Sequence, residues 1–181
     1  ADVLGATPFV LQDFPLASEV VIPVSVILEI VESCATCVML KHEDWPGLEK
    51  ISALRAASEA GARRISILCG NGGLYLPEEM ARGADGAMTG FAYPEMMAQV
   101  VAAHESGDHA RARDIFDAYL PLLRYEAQPG MGLALRKATL AKRGAIAHAT
   151  VRRPGPSLSA AAEAELATLV ARQEERLARL G

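Results

Sequence analysis

Four short apolar runs, spaced about one βα unit apart, restrict this chain more than anything else in it. They are Pro8–Gln12, Thr36–Lys41, Ile65–Cys69 and Gly86–Thr89. Each is short and mostly apolar, as strands buried on both faces of a parallel sheet are. Segments with helical spacing lie between them. Val24, Ile27, Leu28 and Val31 form one stripe. Leu48, Ile51, Leu54 and Ala57 form another, with Pro46 near its start and Gly61 as its C-terminal stop. Pro77–Ala81 predicts a shorter helix closed by Gly83, and Pro94–Ala103 a longer one ended near Gly107. A repeat of roughly 20–30 residues is the size of a βα unit, and strict alternation of strand and helix implies a parallel sheet with right-handed crossovers.

Beyond about residue 107 the strand signals stop. Asp108–Tyr125, Gly132–Arg143 and Ser159–Leu180 read as helices, the last after a Pro154–Pro156 linker and capped by Ser157 or Ser159. The expected organisation is four βα units over 1–107 and a helical extension over 108–181. A closed (β/α)8 barrel takes ~250 residues, and this chain has 181. Four units leave two open sheet edges, so the layout fits the second half of a barrel plus an extension. A small open α/β sheet is the alternative. The chain opens on Ala1 rather than Met, and a start inside a longer protein is expected.

Composition narrows the partners. Half the residues (51%) are hydrophobic, 22% are charged and the net charge is −4, values of an ordinary globular protein. No apolar run reaches the ~18 residues of a membrane span, and no cationic segment precedes an apolar one as in a signal peptide. With no basic run longer than a pair such as Arg152-Arg153, neither nucleic acid nor membrane is expected as a partner. Three cysteines cannot all pair, and a reduced, cytoplasmic compartment is expected.

Lys41 is the most informative residue. Simple alternation puts Cys37, Met39 and Lys41 on one face of their strand and Val38 and Leu40 on the other. A lysine at the end of an apolar strand lies either where a barrel builds its active site, as an amine that attacks a ketone, or simply reaches solvent. His42, Glu43 and Asp44 follow, as an acid/base cluster or, more cheaply, a polar loop in which Asp44 caps the next helix. Gln12 and Asp13 end the first strand in the equivalent place, Asp13 as a proton handler or as a turn residue before Pro15. Gly70-Asn71-Gly72-Gly73 and Thr89-Gly90 follow the third and fourth strands. Such small residues let a backbone approach a ligand and offer N–H groups to an oxyanion, but the phosphate-loop and dinucleotide patterns are absent. Cys34-Ala-Thr-Cys37 links a helix end to a strand, the wrong place for a redox pair, and has no second ligand pair for zinc. Histidines 42, 104, 109 and 148 show no metal-ligand spacing, and His104 and His109 read as surface residues.

Together, Val38-Met-Leu-Lys41, Ile67-Leu-Cys-Gly-Asn71, Gly83-Ala-Asp-Gly-Ala-Met-Thr-Gly90, Pro129 through Gly144 and Pro154-Gly-Pro-Ser-Leu resemble the dihydrodipicolinate synthase / N-acetylneuraminate lyase family of Schiff-base lyases. The resemblance runs in order along nearly the whole chain. It implies a TIM (β/α)8 barrel with a helical extension, of which strands five to eight are present here. Lys41 would then be the Schiff-base lysine, with Asp13 and Gln12 beside it in catalysis and Gly70, Asn71, Thr89 and Gly90 binding substrate. It further implies a small 2-oxo acid substrate, no metal or organic cofactor, a homo-oligomer, and a need for the missing N-terminal half-barrel. Family members usually carry Tyr-Asn-x-Pro at the end of strand five, where this chain has Gln12-Asp13-Phe14-Pro15. The arginine two residues after that proline is replaced by Ala17. Both departures, with Ala-Met-Thr-Gly90, look more like the 2-keto-3-deoxy-L-arabonate dehydratase branch. Dehydration or aldol cleavage of a 2-keto-3-deoxy sugar acid is expected. The alternatives are the synthase proper (pyruvate with aspartate semialdehyde), a non-catalytic binding protein on a decayed barrel, or a flavodoxin-like ligand-binding domain.

Overall fold

The computed structural model describes residues 3–45 and 47–181, so the expectation placed on Pro46 lies outside the described residues. The chain forms two compact units, 1–89 and 90–181.

In the first unit the order is β1 (Phe9–Asp13), α1 (Pro15–Ser18), α2 (Val24–Ser33), β2 (Cys37–His42), α3 (Leu48–Glu59), β3 (Ser66–Cys69), a 3-10 turn (Asn71–Gly73), α4 (Leu76–Ala81) and β4 (Gly86–Ala87). The strands form one parallel sheet in the order β1-β2-β3-β4. The helical stripes do what their spacing predicts. Ile27 and Val31 of α2 and Ile51 and Leu54 of α3 are buried, and Ile27, Val31 and Leu54 meet Ile67 of β3 around a small internal space. The short α1 was not legible. It is a single turn with Pro15 at its first position, closed by Glu19 in the left-handed region (φ 58°).

Register decides which side chains share a face. Gln12, Lys41, Leu68 and Gly86 lie in one row, and Asp13, His42, Cys69 and Ala87 in the next. The second row, with Leu40 and Ile67, belongs to the helix-covered face, and Asp13, His42 and Cys69 are buried there. The opposite face is open: Val10 and Gln12 are exposed, and Met39, Lys41, Ser66 and Leu68 half-buried. The strict alternation expected for β2 fails at its start. The register shifts between Phe9 and Val10, so Cys37 pairs with Phe9 on the helix-covered face instead of sharing a face with Lys41. Strand ends also differ. β1 and β2 each run one residue further, through the Asp13–His42 pair, and β4 stops at Ala87 short of Thr89.

On the buried side of α4, Glu79 packs against Cys69, with Oε2 unpartnered among the described residues. Burial pushes its carboxyl up to about 7, against the opposing pull of the Cys69 thiol, and burial also pushes the Cys69 thiol up. The folded state therefore holds the Glu79 proton more tightly than the unfolded chain does. This contribution is fully present below about pH 4.5 and is lost as pH rises through about 7. Between pH 5 and 8 it amounts to ~3 kcal/mol. Urea unfolding at both pH values should show that loss in the parent protein and not in Glu79→Gln. Equal pH dependence in the two would show that Glu79 is charged in the fold.

The second unit is helical: α5 (Pro94–Glu105), α6 (His109–Glu126), α7 (Gly132–Lys142) and α8 (Ala160–Leu180). α5, α7 and α8 each pack on α6, around Met96, Val100, Ile115, Tyr119, Leu122, Leu135 and Leu166. Asp108 caps α6 by accepting the Arg111 N–H at 3.0 Å. Of the two serines expected before α8, Ser159 is the cap, accepting the Ala162 N–H at 3.2 Å. Arg111 also donates to Leu180 O at 2.8 Å, tying the end of α8 to α6. Among the described residues no helix is long and apolar enough to cross a membrane.

Candidate functional site

Lys41 sits at the carboxyl end of β2 on the open face of the sheet, its side chain 23% exposed. Its Nζ lies 3.1 Å from Glu43 Oε2. The same oxygen accepts the Gln12 side-chain N–H from the neighbouring strand at 2.5 Å. Glu43 Oε1 faces the backbone N–H of Asn71 at 3.5 Å. The carbonyls of Glu43 and Asp44 in turn accept from Asn71 Nδ2, at 2.9 and 3.5 Å. The carboxylate is buried, so it is held by charge-assisted bonds from three sides rather than by water.

The glycine loop makes room for this carboxylate. A Cβ at Gly70 would overlap the Glu43 side chain, so the backbone approach expected there serves Glu43. The loop N–H groups are bonded within the chain: Gly70 to His42 O at 2.8 Å, Gly73 to Gly70 O at 2.9 Å, and Gly72 to Thr89 Oγ1 at 2.7 Å. Thr89 accepts that bond and keeps its own hydroxyl proton. Gly90 belongs to the second unit, where a Cβ would overlap the Arg136 guanidinium. Arg136 is bonded to buried Glu126 at 2.5 Å, and Glu126 accepts the Ala92 N–H at 3.1 Å.

Other expected residues lie elsewhere. Asp13 follows Gln12 and therefore faces the opposite side of the sheet, buried, with Oδ2 2.7 Å from Lys50 Nζ. His42 is buried on that side too. Burial keeps its imidazole below the ordinary range, and Nε2 bonds Gly47 O at 3.0 Å. Asp44 does not cap α3. The N-cap is Gly47 without a side-chain bond, and the Asp44 carboxylate lies 2.6 Å from Lys50. The residue that sequence reasoning undervalued is Glu43, read there as loop. Lys-x-Glu at a strand end was the available signal, since residues i and i+2 share a face. Cys34, Cys37 and Cys69 are free thiols. His104 and His109 meet with their Nδ1 atoms 3.1 Å apart, the first half-buried and the second exposed.

A parallel sheet of successive βα units that presents a lysine and a carboxylate at its strands' carboxyl ends has the layout of α/β proteins with a carboxyl-end site. The model of the dihydrodipicolinate synthetase family matches residues 2–173, and the chain belongs to that family. It is similar to a crystal structure of dihydrodipicolinate synthase from Rhodopseudomonas palustris, with 51% identity and a TM-score of 0.92 over 94% of this chain and 57% of that one. It is also similar to the 4-hydroxy-tetrahydrodipicolinate synthase of Methylacidiphilum fumariolicum SolV, with 26% identity and a TM-score of 0.80 over 96% and 56%. Among curated proteins, L-2-keto-3-deoxyarabonate dehydratase from Azospirillum brasilense is 32% identical over 103 residues, 57% of this chain and 33% of that one. The chain thus spans little more than half the length of the similar solved proteins and a third of the dehydratase.

Proposed function

We propose that the whole protein containing this chain is a lyase that forms a Schiff base between Lys41 and a 2-oxo acid. The observation that carries the proposal is the Lys41 Nζ–Glu43 Oε2 contact at 3.1 Å on the open face of the sheet. The amine attacks the C2 carbonyl and water leaves, giving a protonated imine that withdraws electrons from C3. Glu43, 3.1 Å from Nζ and held there by Gln12, is the base we assign to the protons lost at Nζ and at C3. Loss of the C3 proton gives an enamine, which expels a C4 hydroxyl once that oxygen is protonated. Thr89 has a hydroxyl proton to donate to substrate, and Asn71 and Gly70 hold and accommodate Glu43. Asp13, bonded to Lys50 on the far face, has no part at Nζ. No metal or organic cofactor is needed for these steps. The chain supplies the last four βα units of a barrel, and the preceding half completes the site. The three free thiols fit a reducing compartment, and assembly as a homo-oligomer is part of the same proposal.

Borohydride added to the whole protein with pyruvate should fix one adduct, on Lys41, read by mass spectrometry of the peptides. Lys50 is a poor rival: burial pulls its ammonium down, but bonds to Asp13 and Asp44 outweigh that and hold it above the ordinary lysine range, charged and not nucleophilic. An adduct on Lys50, Lys137 or Lys142, or none with any 2-oxo acid, would sink the assignment.

The substrate we favour is a 2-keto-3-deoxy sugar acid. Ala17 offers no guanidinium to a second substrate carboxylate, a contact worth ~1.5–3 kcal/mol. Gln12 stands where family members usually carry a tyrosine and cannot relay protons as a phenol does. The similarity to the arabonate dehydratase points the same way. The synthase reaction, pyruvate with aspartate semialdehyde, is the second reading, favoured by the 51% identity to the R. palustris structure. A side-by-side assay at equal concentrations should give faster dehydration of the sugar acid, and faster consumption of aspartate semialdehyde would establish the synthase.

A further inference from the structure

We infer that Lys50 is a positioning residue that acts through Asp13 and Asp44 to hold Glu43 against Lys41. The inference rests on the Schiff-base proposal above. Lys50 Nζ lies 2.7 Å from Asp13 Oδ2 and 2.6 Å from Asp44 Oδ2, with its side chain 9% exposed. Those two carboxylates belong to the residues that flank the site in space and in sequence. Asp13 is the last residue of β1, next to Gln12, and its carbonyl accepts the backbone N–H of Glu43 at 2.8 Å. Asp44 directly follows Glu43. One ammonium on α3 therefore grips the backbone on both sides of the Glu43 N–H, from behind the sheet, while Gln12 and Asn71 hold the carboxylate from the front.

The clamp is built at a cost that simple fold stability does not require. Asp13 Oδ1 and His42 Nδ1, neighbours across the β1–β2 pair, are both buried with no hydrogen-bond partner among the described residues. A buried ion pair with orphaned polar atoms beside it stabilises a fold weakly, whereas it fixes a geometry well. Glu43 needs that geometry, because a shift of about 1 Å at a proton-handling group can cost ~10²-fold in rate.

The test uses pyruvate alone on the whole protein. Imine and enamine formation exchange its methyl hydrogens for deuterium in D2O, and proton NMR gives kcat and KM for that exchange. Lys50→Met should lower kcat by about 10²-fold while KM changes less than threefold, with borohydride still marking Lys41. Asp44→Asn leaves the Asp13–Lys50 pair in place and should lower kcat about tenfold, so it decides the matter if Lys50→Met does not fold. The control is Arg55→Met. Arg55 ties the amino ends of β3 and β4 together through Ile65 O, Gly83 O and Asp85 at 3.0, 2.7 and 2.6 Å. Its side chain is 12% exposed against 9% for Lys50, yet it lies away from Lys41, so the folded fraction of Arg55→Met should keep the parent kcat. Parent-like kcat in Asp44→Asn or in folded Lys50→Met, or an equal loss in Arg55→Met, would overturn the clamp while leaving Lys41 in place. Parent protein that neither exchanges pyruvate nor forms an adduct would overturn the Schiff-base proposal and the clamp with it.

Discussion

Lys41→Met in the whole protein is expected to abolish both the borohydride adduct and the exchange of pyruvate methyl hydrogens. Covalent attachment turns a bimolecular encounter of ketone and amine into one held geometry, and an intramolecular amine is worth an effective concentration of ~10⁵ M or more. Removing it should drop exchange by at least about 10⁵-fold, to the level of pyruvate in buffer. Methionine matches the length and apolar stem of lysine, but its partner Glu43 is buried, so losing the cation should lower the melting temperature, by up to ~3–5 kcal/mol of stability. Gln12 and the Asn71 N–H still bond the carboxylate, and the exchange is read on the folded fraction. Residual exchange above one part in a thousand would mean that another amine carries the reaction, and mass mapping of the residual adduct would identify it.

Glu43→Gln should separate proton transfer from attachment. The amide has the volume of the carboxylate, so it still fits beside Gly70, where no side chain is tolerated, and its oxygen can still accept from Gln12, with its NH2 replacing the oxygen that faces the Asn71 N–H at 3.5 Å. What disappears is a base at 3.1 Å from Lys41 Nζ. General acid–base groups contribute ~10²–10⁴-fold, and exchange should fall by about that much. The adduct should still appear on Lys41, more slowly. Unchanged exchange in Glu43→Gln would move the proton-handling role to another group.

The sheet was legible because each strand is a short apolar run bounded by polar or glycine residues, and the helices because Ile27, Val31, Ile51 and Leu54 recur at helical spacing on buried faces. Less could be read at the strand ends. A register shift of one residue between Phe9 and Val10 moved Cys37 across the sheet, and periodicity carries no mark of such a bulge. Gln12 and Asp13 looked like one functional pair in sequence, yet adjacent strand residues face opposite ways. One reaches Glu43 and the other Lys50. Asp44 was expected to cap α3, a local role that its ion pair to Lys50, six residues on, displaced. Glu43 was hidden for a different reason. Its partners, Gln12, Lys41 and Asn71, come from three strand ends, and only the folded sheet assembles them.

The overlap between Glu43 and any Cβ at position 70 has a bearing on how such proteins diverge. Two residues 27 positions apart share a volume that admits either a long acidic side chain and a bare backbone, or a shorter residue at 43 and a side chain at 70. Neither change is tolerated first without loss, since a Cβ at 70 displaces the carboxylate and a truncated residue at 43 strands the Gln12 and Asn71 donors. Positions 43 and 70 should therefore change together across descendants of this chain. Lineages that acquired a side chain at 70 would have had to relocate their proton chemistry before the loop could close.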